Sequence, residues 1–340
     1  MIQKIKISRE RVELKSPYRL SFDTLNHIES IFARIQWQEG AITISEAVAL
    51  PGYSWETPDS IHSWLSNCAE KILSGNCHDP ESYALKNLPS NPFAASALLS
   101  ALNLHQSFWQ PPKVMRIPLT ASLDLENTSS TISNTQKAVE EGFTHLKIKV
   151  GQDITRDLEL VQVLTRIMSP HTRIRLDANQ GYSYDDAVCL IEALNSINCP
   201  IFELLEQPLD WKCWDDMAKL CKIGKMIPLM LDESIYNQDD IKRAKDIGCR
   251  AIKLKLFKNG GLNRTLALAE YANSIGLKVV LGNGVATNVG NFMEALIYHA
   301  KPKLFWGPIE SNGYKKLLSA PFGPNLKTEK NLLVYEHNKP

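Results

Sequence analysis

Very little in this 340-residue sequence points to a membrane, an oxidising compartment or a nucleic acid. No uninterrupted apolar run approaches the roughly 20 residues needed to cross a bilayer, although 44% of the residues are hydrophobic, enough for a substantial core. An excess of one charge is also missing. With 38 basic and 37 acidic residues the formal charge is +1, so no global field favours a polyanion or an anionic lipid surface. The seven cysteines (Cys68, Cys77, Cys189, Cys199, Cys213, Cys221, Cys249) are odd in number and form no Cys-x-x-Cys pair, which argues for reduced thiols, most of them buried for packing. The first seven residues alternate like a strand and lack the apolar core of a secretory signal. The expectation is a soluble, cytoplasmic protein with a small-molecule ligand and neither nucleic acid nor membrane as partner; a homo-oligomer stays open.

What is present falls into two parts, as the length suggests. Over 1–114, strand-like runs at 4–14, 31–36 and 41–46 alternate with period two, and apolar spacing turns helical over 59–73 and 92–104. That is an α+β unit. From about Met115 strand and helix alternate, with eight candidate strands: 117–123, 146–150, 174–176, 201–205, 228–231, 251–257, 278–281 and a short one near 304–306. Repeated βα units close into a (β/α)8 TIM-type barrel or open into a doubly wound sheet. The barrel is favoured over 115–320, because charged residues sit at the C-terminal ends of successive strands all round the set, and no GxGxxG follows the first strand. The tail, 321–340, is expected to run back over the first domain.

Five short segments carry that charge: Lys147-Ile-Lys149, Asp177-Ala-Asn179, Glu206-Gln-Pro208, Asp232-Glu-Ser234 and Lys253-Leu-Lys255-Leu-Phe-Lys-Asn-Gly-Gly261. From Lys149 to Lys255 the steps are 28, 29, 26 and 23 residues, one strand-plus-helix unit each. Residues i and i+2 of a strand share a face, so Lys147 and Lys149 point one way, as do Lys253 and Lys255. Buried ammonium groups need anions, and Asp177, Glu206 and Asp232 come from the strands between. Three carboxylates from three successive strand ends suit a hard divalent cation such as Mg2+, with Mn2+ as the alternative. A cation holding a substrate carboxylate, with a lysine on each side of its α-carbon, is a device for removing an α-proton. Neighbouring cations, Lys147 for Lys149 and Lys253 for Lys255, are expected to lower the base's pKa.

In these five motifs the sequence resembles the enolase superfamily in its muconate-lactonizing-enzyme branch, over nearly the whole chain. The resemblance implies a modified (β/α)8 barrel behind an N-terminal α+β capping domain. It implies Lys149 and Lys255 as the acid/base pair, Lys147 and Lys253 as pKa-tuning neighbours, Asp177, Glu206 and Asp232 as metal ligands, and Asn179 and Glu233 as residues behind the ligands.

Within that branch the same site serves racemases and epimerases of amino-acid derivatives and o-succinylbenzoate synthases, which dehydrate. The run Asp177-Ala-Asn-Gln-Gly181 and the Lys-Leu-Phe-Lys-Asn-Gly-Gly segment resemble the epimerases, whereas Glu46-Ala-Val-Ala-Leu-Pro-Gly-Tyr-Ser-Trp-Glu-Thr57 resembles the capping loop of the synthases. Dipeptide epimerases carry an Asp-x-Asp at the eighth strand for the substrate ammonium; here the segment is Leu304-Phe-Trp-Gly-Pro308, so an N-blocked substrate is expected. Asp23 stands where an epimerase for acidic side chains has arginine, and is either a pocket residue favouring a cationic or hydroxyl-bearing substrate or a turn-forming surface Asp. Tyr53, Asn283 and Trp306 complete the specificity candidates. The leading expectation is a racemase or epimerase of a small carboxylate; the second is a dehydrating lyase of the o-succinylbenzoate type, and the third a barrel that binds without catalysis.

Overall fold

The computed structural model describes residues 1–19, 24–49, 55–123, 127–283 and 285–337. Asp23 and Tyr53 lie outside the described residues. The N-terminal unit is an antiparallel sheet of β1 (Ile2–Arg19), β2 (Thr24–Trp37) and β3 (Ile42–Val48), in that order, followed by α1 (Pro58–Leu73), α2 (Pro80–Asn87) and α3 (Pro92–Asn103). Ile31, Ala33 and Ile35 of β2 are buried on one face and Phe32 on the other, against Phe322 of the tail at 4.9 Å, so apolar burial on this middle strand extends to both faces, with Arg34 left exposed.

The remainder is built of β4 (Val114–Pro118), β5 (Ala121–Leu123), α4 (Thr128–Glu140), β6 (His145–Lys149), α5 (Ile154–Ile167), β7 (Arg173–Asp177), α6 (Tyr184–Ile197), β8 (Phe202–Glu206), α7 (Trp214–Ile223), β9 (Leu229–Leu231), α8 (Gln238–Asp246), β10 (Ala251–Leu254), α9 (Gly261–Ser274), β11 (Lys278–Leu281), α10 (Asn288–Ala300), β12 (Leu326–Glu329) and β13 (Leu332–Glu336). β5 to β11 form one parallel sheet in chain order, with helices outside it: a modified TIM-type barrel. No helix among the described residues is long and apolar enough to cross a membrane, and all seven thiols are free.

Two expectations about the barrel's ends are corrected. The run 117–123 is not one strand. β4 pairs antiparallel with β13, the chain steps across at Pro118-Leu119, and only β5 joins the barrel. Proline has no N–H to continue a ladder, and the Pro118 carbonyl instead accepts from Ile309 N (3.1 Å). The eighth strand is not at 304–306, where Pro302 opens a 3-10 turn. The ring closes further on: Trp306 N donates to Val279 O (2.7 Å) and Glu310 N to Leu281 O (3.0 Å), while Thr120 N donates to Ile309 O (2.8 Å). Residues 306–310 thus bridge β11 to the start of β5.

Glu46 fastens the N-terminal unit to the barrel. Fully buried at the end of β3, it accepts from Thr287 N (2.8 Å), Gly290 N (2.9 Å) and Thr287 Oγ1 (2.6 Å) at the start of α10, and from Ser30 Oγ (2.9 Å). A carboxylate at a helix N-terminus satisfies orphan donors and meets the positive end of the dipole. A Cβ at 290 would stand 2.3 Å from that carboxylate, so only glycine admits this contact.

Candidate active site

Strand alternation brings the expected charges together at the C-terminal mouth of the barrel. Lys149 closes β6, Asp177 closes β7, Glu206 closes β8, Asp232 follows β9 and Lys255 follows β10. Lys149 Nζ donates to Asp177 Oδ2 (2.6 Å) and to Asn179 Oδ1, and Asn179 Nδ2 donates to Glu233 Oε1 (3.2 Å). Across the mouth Lys255 Nζ pairs with Asp232 Oδ2 (2.6 Å). The two lysines therefore stand at opposite ends of an arc of acids, separated by β7, β8 and β9.

Lys147 and Lys253 lie one layer deeper. Lys147 Nζ contacts Asp177 Oδ2 (2.7 Å), Glu206 (2.9 Å) and Glu310 Oε2 (3.0 Å), and Lys253 pairs with Glu206 Oε1 (2.8 Å) and Glu310 Oε2. Burial disfavours the Lys147 ammonium, but Asp177, Glu206 and Glu310 outweigh it and hold the group well above the ordinary lysine range. Lys253 is raised for the same reason, with burial opposing and Glu206 and Glu310 prevailing. Both are fixed cations whose charge is matched first by carboxylates. Burial pushes Asp177 and Asp232 up, yet their lysine neighbours hold both well below the usual carboxylate range; Glu206 is raised by burial and by Asp177.

Four charged residues without an assigned role in the sequence complete the cluster. Glu310 joins Lys147 and Lys253 and accepts from Arg175 Nη1 (3.2 Å). Arg175, fully buried two residues before Asp177, also donates from Nε to Glu203 Oε2 (2.7 Å); a register shift between β7 and β8 turns Glu203 towards it. Lys258 donates to the Asp232 carbonyl and lies 3.4 Å from Asp232 Oδ1. Arg175 was legible as an alternation partner of Asp177, and Lys258 as part of the fifth motif. Glu310 was not, because the closing segment lacks a strand's apolar alternation. Counted together, six buried cations (Lys147, Lys149, Arg175, Lys253, Lys255, Lys258) face six buried carboxylates (Asp177, Glu203, Glu206, Asp232, Glu233, Glu310).

Gln207, with φ of 35°, sits in the left-handed region directly after Glu206. Its side chain accepts from Asp232 N (2.9 Å) and donates to Leu209 O (3.0 Å), which ties the end of β8 to the end of β9 and sets the spacing of two acids.

Of the two specificity candidates among the described residues, Trp306 is placed away from the mouth, whereas Asn283 follows the C-terminal end of β11. Trp306 lies at the N-terminal end of the barrel, packed on Leu204, Met230, Ala251 and Val280 with Lys278 Nζ 3.9 Å over its ring, at the opposite end from the carboxylates. The pattern misplaced it because the closing segment is read four residues too early. Asn283 is buried, and its Oδ1 accepts from Val285 N (3.0 Å) in a local turn.

Glu294 on α10 is buried beside this region. It accepts from Ser311 Oγ (2.5 Å) and Asn291 Nδ2 (3.1 Å), its Oε1 has no hydrogen-bond partner, and burial pushes it up to about 7 from 4.5. A raised carboxyl binds its proton more tightly folded than unfolded, so this group's contribution to stability is lost as pH rises from about 4.5 through about 7. The loss is about 3 kcal/mol. Urea denaturation of Glu294→Gln should be flatter between pH 5 and pH 8 than that of the parent; equal slopes would contradict this placement of the charge.

Among the described residues no three Asp, Glu, His or Cys side chains converge on a metal-sized point; the ammonium groups hold the acids instead. The donor set nonetheless fits a hard cation. Glu206 Oε2 and Asp232 Oδ2 are buried without a hydrogen bond, each facing an ammonium at 2.9 Å and 2.6 Å, and Glu233 Oε2 is buried without a partner.

Residues 131–330 match the family model described as enolase C-terminal domain-like. The chain is 28% identical over 291 residues to the L-Ala-D/L-Glu epimerase of Francisella tularensis subsp. novicida, covering 82% of this chain and 81% of that one. It is 27% identical over 303 residues to the o-succinylbenzoate synthase of Geobacillus stearothermophilus, covering 82% and 76%. In fold it is similar to the dipeptide epimerase of Enterococcus faecalis complexed with Mg and the dipeptide L-Leu-L-Tyr, with a TM-score of 0.84, 22% identity, and 98% and 96% of the two chains covered.

Proposed function

The chain belongs to the enolase C-terminal domain-like family, in the muconate-lactonizing branch of the enolase superfamily, and from that premise we propose that it is a divalent-cation-dependent racemase or epimerase of an N-blocked amino-acid derivative. The observation that carries the reading is the opposed pair, Lys149 on Asp177 and Lys255 on Asp232, at the two ends of one arc of buried acids. In this reading Asp177, Glu206 and Asp232 hold the cation, Mg2+ in the dipeptide epimerases of similar fold. When bound, that ion supplies positive charge to the substrate carboxylate and so makes its α-proton removable.

The chain's own groups do the rest. Lys149 takes the proton from one face of the α-carbon and Lys255 returns one to the other, so the configuration inverts. Asn179 holds Lys149 in place through its amide oxygen and is itself held by Glu233. Lys147, Lys253 and Glu310 form a fixed floor that keeps the acids apart and the site dry. An N-blocked substrate is favoured because the only carboxylate of the closing segment 306–310, Glu310, is already engaged by Lys147, Lys253 and Arg175, which leaves that segment no acid for a substrate ammonium.

The test is proton exchange in D2O, followed by NMR, with N-succinyl and N-acetyl amino acids and free dipeptides, with Mg2+ and with chelator. The expected result is wash-in of deuterium at the α-carbon of an N-acylated amino acid that stops on chelation. Exchange with free dipeptides alone would overturn the N-blocked substrate, and no exchange across the panel would overturn the reaction. Dehydration is the second reading, favoured by the similarity to the synthase; formation of a conjugated aromatic product, seen by absorbance, distinguishes it.

A further inference from the structure

A cavity of about 260 Å3 lies beside the acid ring, where the N-terminal unit meets the loops after β8, β9 and β10. Small-molecule sites run upward from roughly 300 Å3, so this one suits a ligand of one or two rings. Its wall is aromatic. Trp55 reaches in from the N-terminal unit, its indole N–H donating to Ser90 O (2.9 Å) and its ring stacked on Tyr236 with centroids 6.2 Å apart. Trp211 and Trp214 come from the segment after β8.

Two cations line the same space, and they differ. Lys258 is committed to Asp232 and lies over the Tyr236 ring at 4.9 Å. Arg264, from α9, has no ion pair or hydrogen bond among the described residues, and its Nε is buried without a partner. Its stem lies on Gly260, whose φ is +91°, where a Cβ would stand 2.4 Å from Arg264 Cδ. Gly260 thus lets the arginine pass into the cavity. The carboxylate in the wall, Asp240, does not answer it, being held by Tyr236 N (2.9 Å) and Asn237 N (3.1 Å). A half-buried guanidinium without a counter-ion is unfavourable until an anion joins it, and its planar fork matches a carboxylate while its face stacks on rings.

We propose that this cavity is a binding site for a planar aromatic carboxylate, its ring between Trp55, Trp211 and Tyr236 and its carboxylate on Arg264, separate from the acid ring of the reaction centre. The proposal stands whether or not the reaction assigned above is right.

Calorimetric titration of the full chain with 2-naphthoate tests it, with the uncharged 2-naphthamide as comparison. Saturable 1:1 binding of the acid is expected, about tenfold weaker for the amide and about tenfold weaker in Arg264→Gln. Trp211→Leu is the second variant and should lose binding while Arg264 remains; thermal melts identify any variant, Glu206→Gln included, that fails to fold. Glu206→Gln, which alters the acid ring, should bind 2-naphthoate as the parent does. Equal affinity for acid and amide, undiminished binding in Arg264→Gln, no binding at millimolar ligand, or loss of binding in Glu206→Gln would each overturn the proposal.

Discussion

Lys149→Ala and Lys255→Ala should each lose turnover by about two to four orders of magnitude, the usual worth of a positioned acid or base, and should do so with opposite residual behaviour. In D2O, Lys149→Ala retains Lys255 on its face, so it should still exchange the α-proton of the one enantiomer whose C–H points there, without converting it to the other. Lys255→Ala should exchange only the opposite enantiomer. The single variants are suited to this because the surrounding ring survives them. Asp177 keeps Lys147 at 2.7 Å when Lys149 is gone, and Asp232 keeps Lys258 when Lys255 is gone. NMR of each pure enantiomer in D2O gives the answer. If both variants exchange the same enantiomer, the two lysines do not address opposite faces and inversion by this pair is wrong.

The second large effect is on stability. Glu310→Ala should destabilise the fold by about 3–5 kcal/mol, the range for removing one partner of a buried ion cluster. Glu310 receives Lys147 at 3.0 Å and Arg175 at 3.2 Å, and it also pairs with Lys253. Without it, six buried cations face five carboxylates. Three of those cations lose a hydrogen-bond acceptor in a region that water does not reach, where unpaired charge is most costly. Glu310→Gln keeps the shape and one acceptor, so it should fall between the parent and the alanine variant. Urea denaturation of the three proteins decides; a change under about 1 kcal/mol for the alanine variant would mean that Glu310 is dispensable to the cluster.

The ring was readable in advance because its parts are local. Lys147 and Lys149 share a face through the two-residue period of a strand, and Asp177 and Glu206 each close a short strand-like segment of recognisable length. Arg175 obeys the same alternation and was within reach. Glu310 was beyond it, since residues 306–310 complete the barrel by bonding to Val279 and Leu281 on one side and to the segment 118–120 on the other, with no alternation to announce them. Trp306 was misplaced for the same reason. A strand defined by what it pairs with leaves a weaker trace than one defined by what it buries.

The direction of the lysine shifts is a second instance. The Lys-x-Lys motifs point to Lys147 and Lys253 as cations acting on Lys149 and Lys255, and say nothing of what acts on Lys147 and Lys253 themselves. In the folded chain Lys147 and Lys253 are raised, because carboxylates from β7, β8 and the closing segment stand nearer to them than the neighbouring lysines' charges can offset. Which sign prevails depends on distances between segments well over a hundred residues apart, as Lys147 and Glu310 are.

By itself, the order of residues determined that strands would deliver lysines and acids to one end of a closed sheet, since period-two alternation and chain order suffice for that. Only the tertiary structure decided which acid neutralises which lysine, that Glu310 and Arg175 complete the charge balance, and that Arg264, beside three tryptophans, meets no anion among the described residues. Pairing is a matter of a few ångströms between separate segments, and electrostatic energy in a dry interior changes steeply over that range.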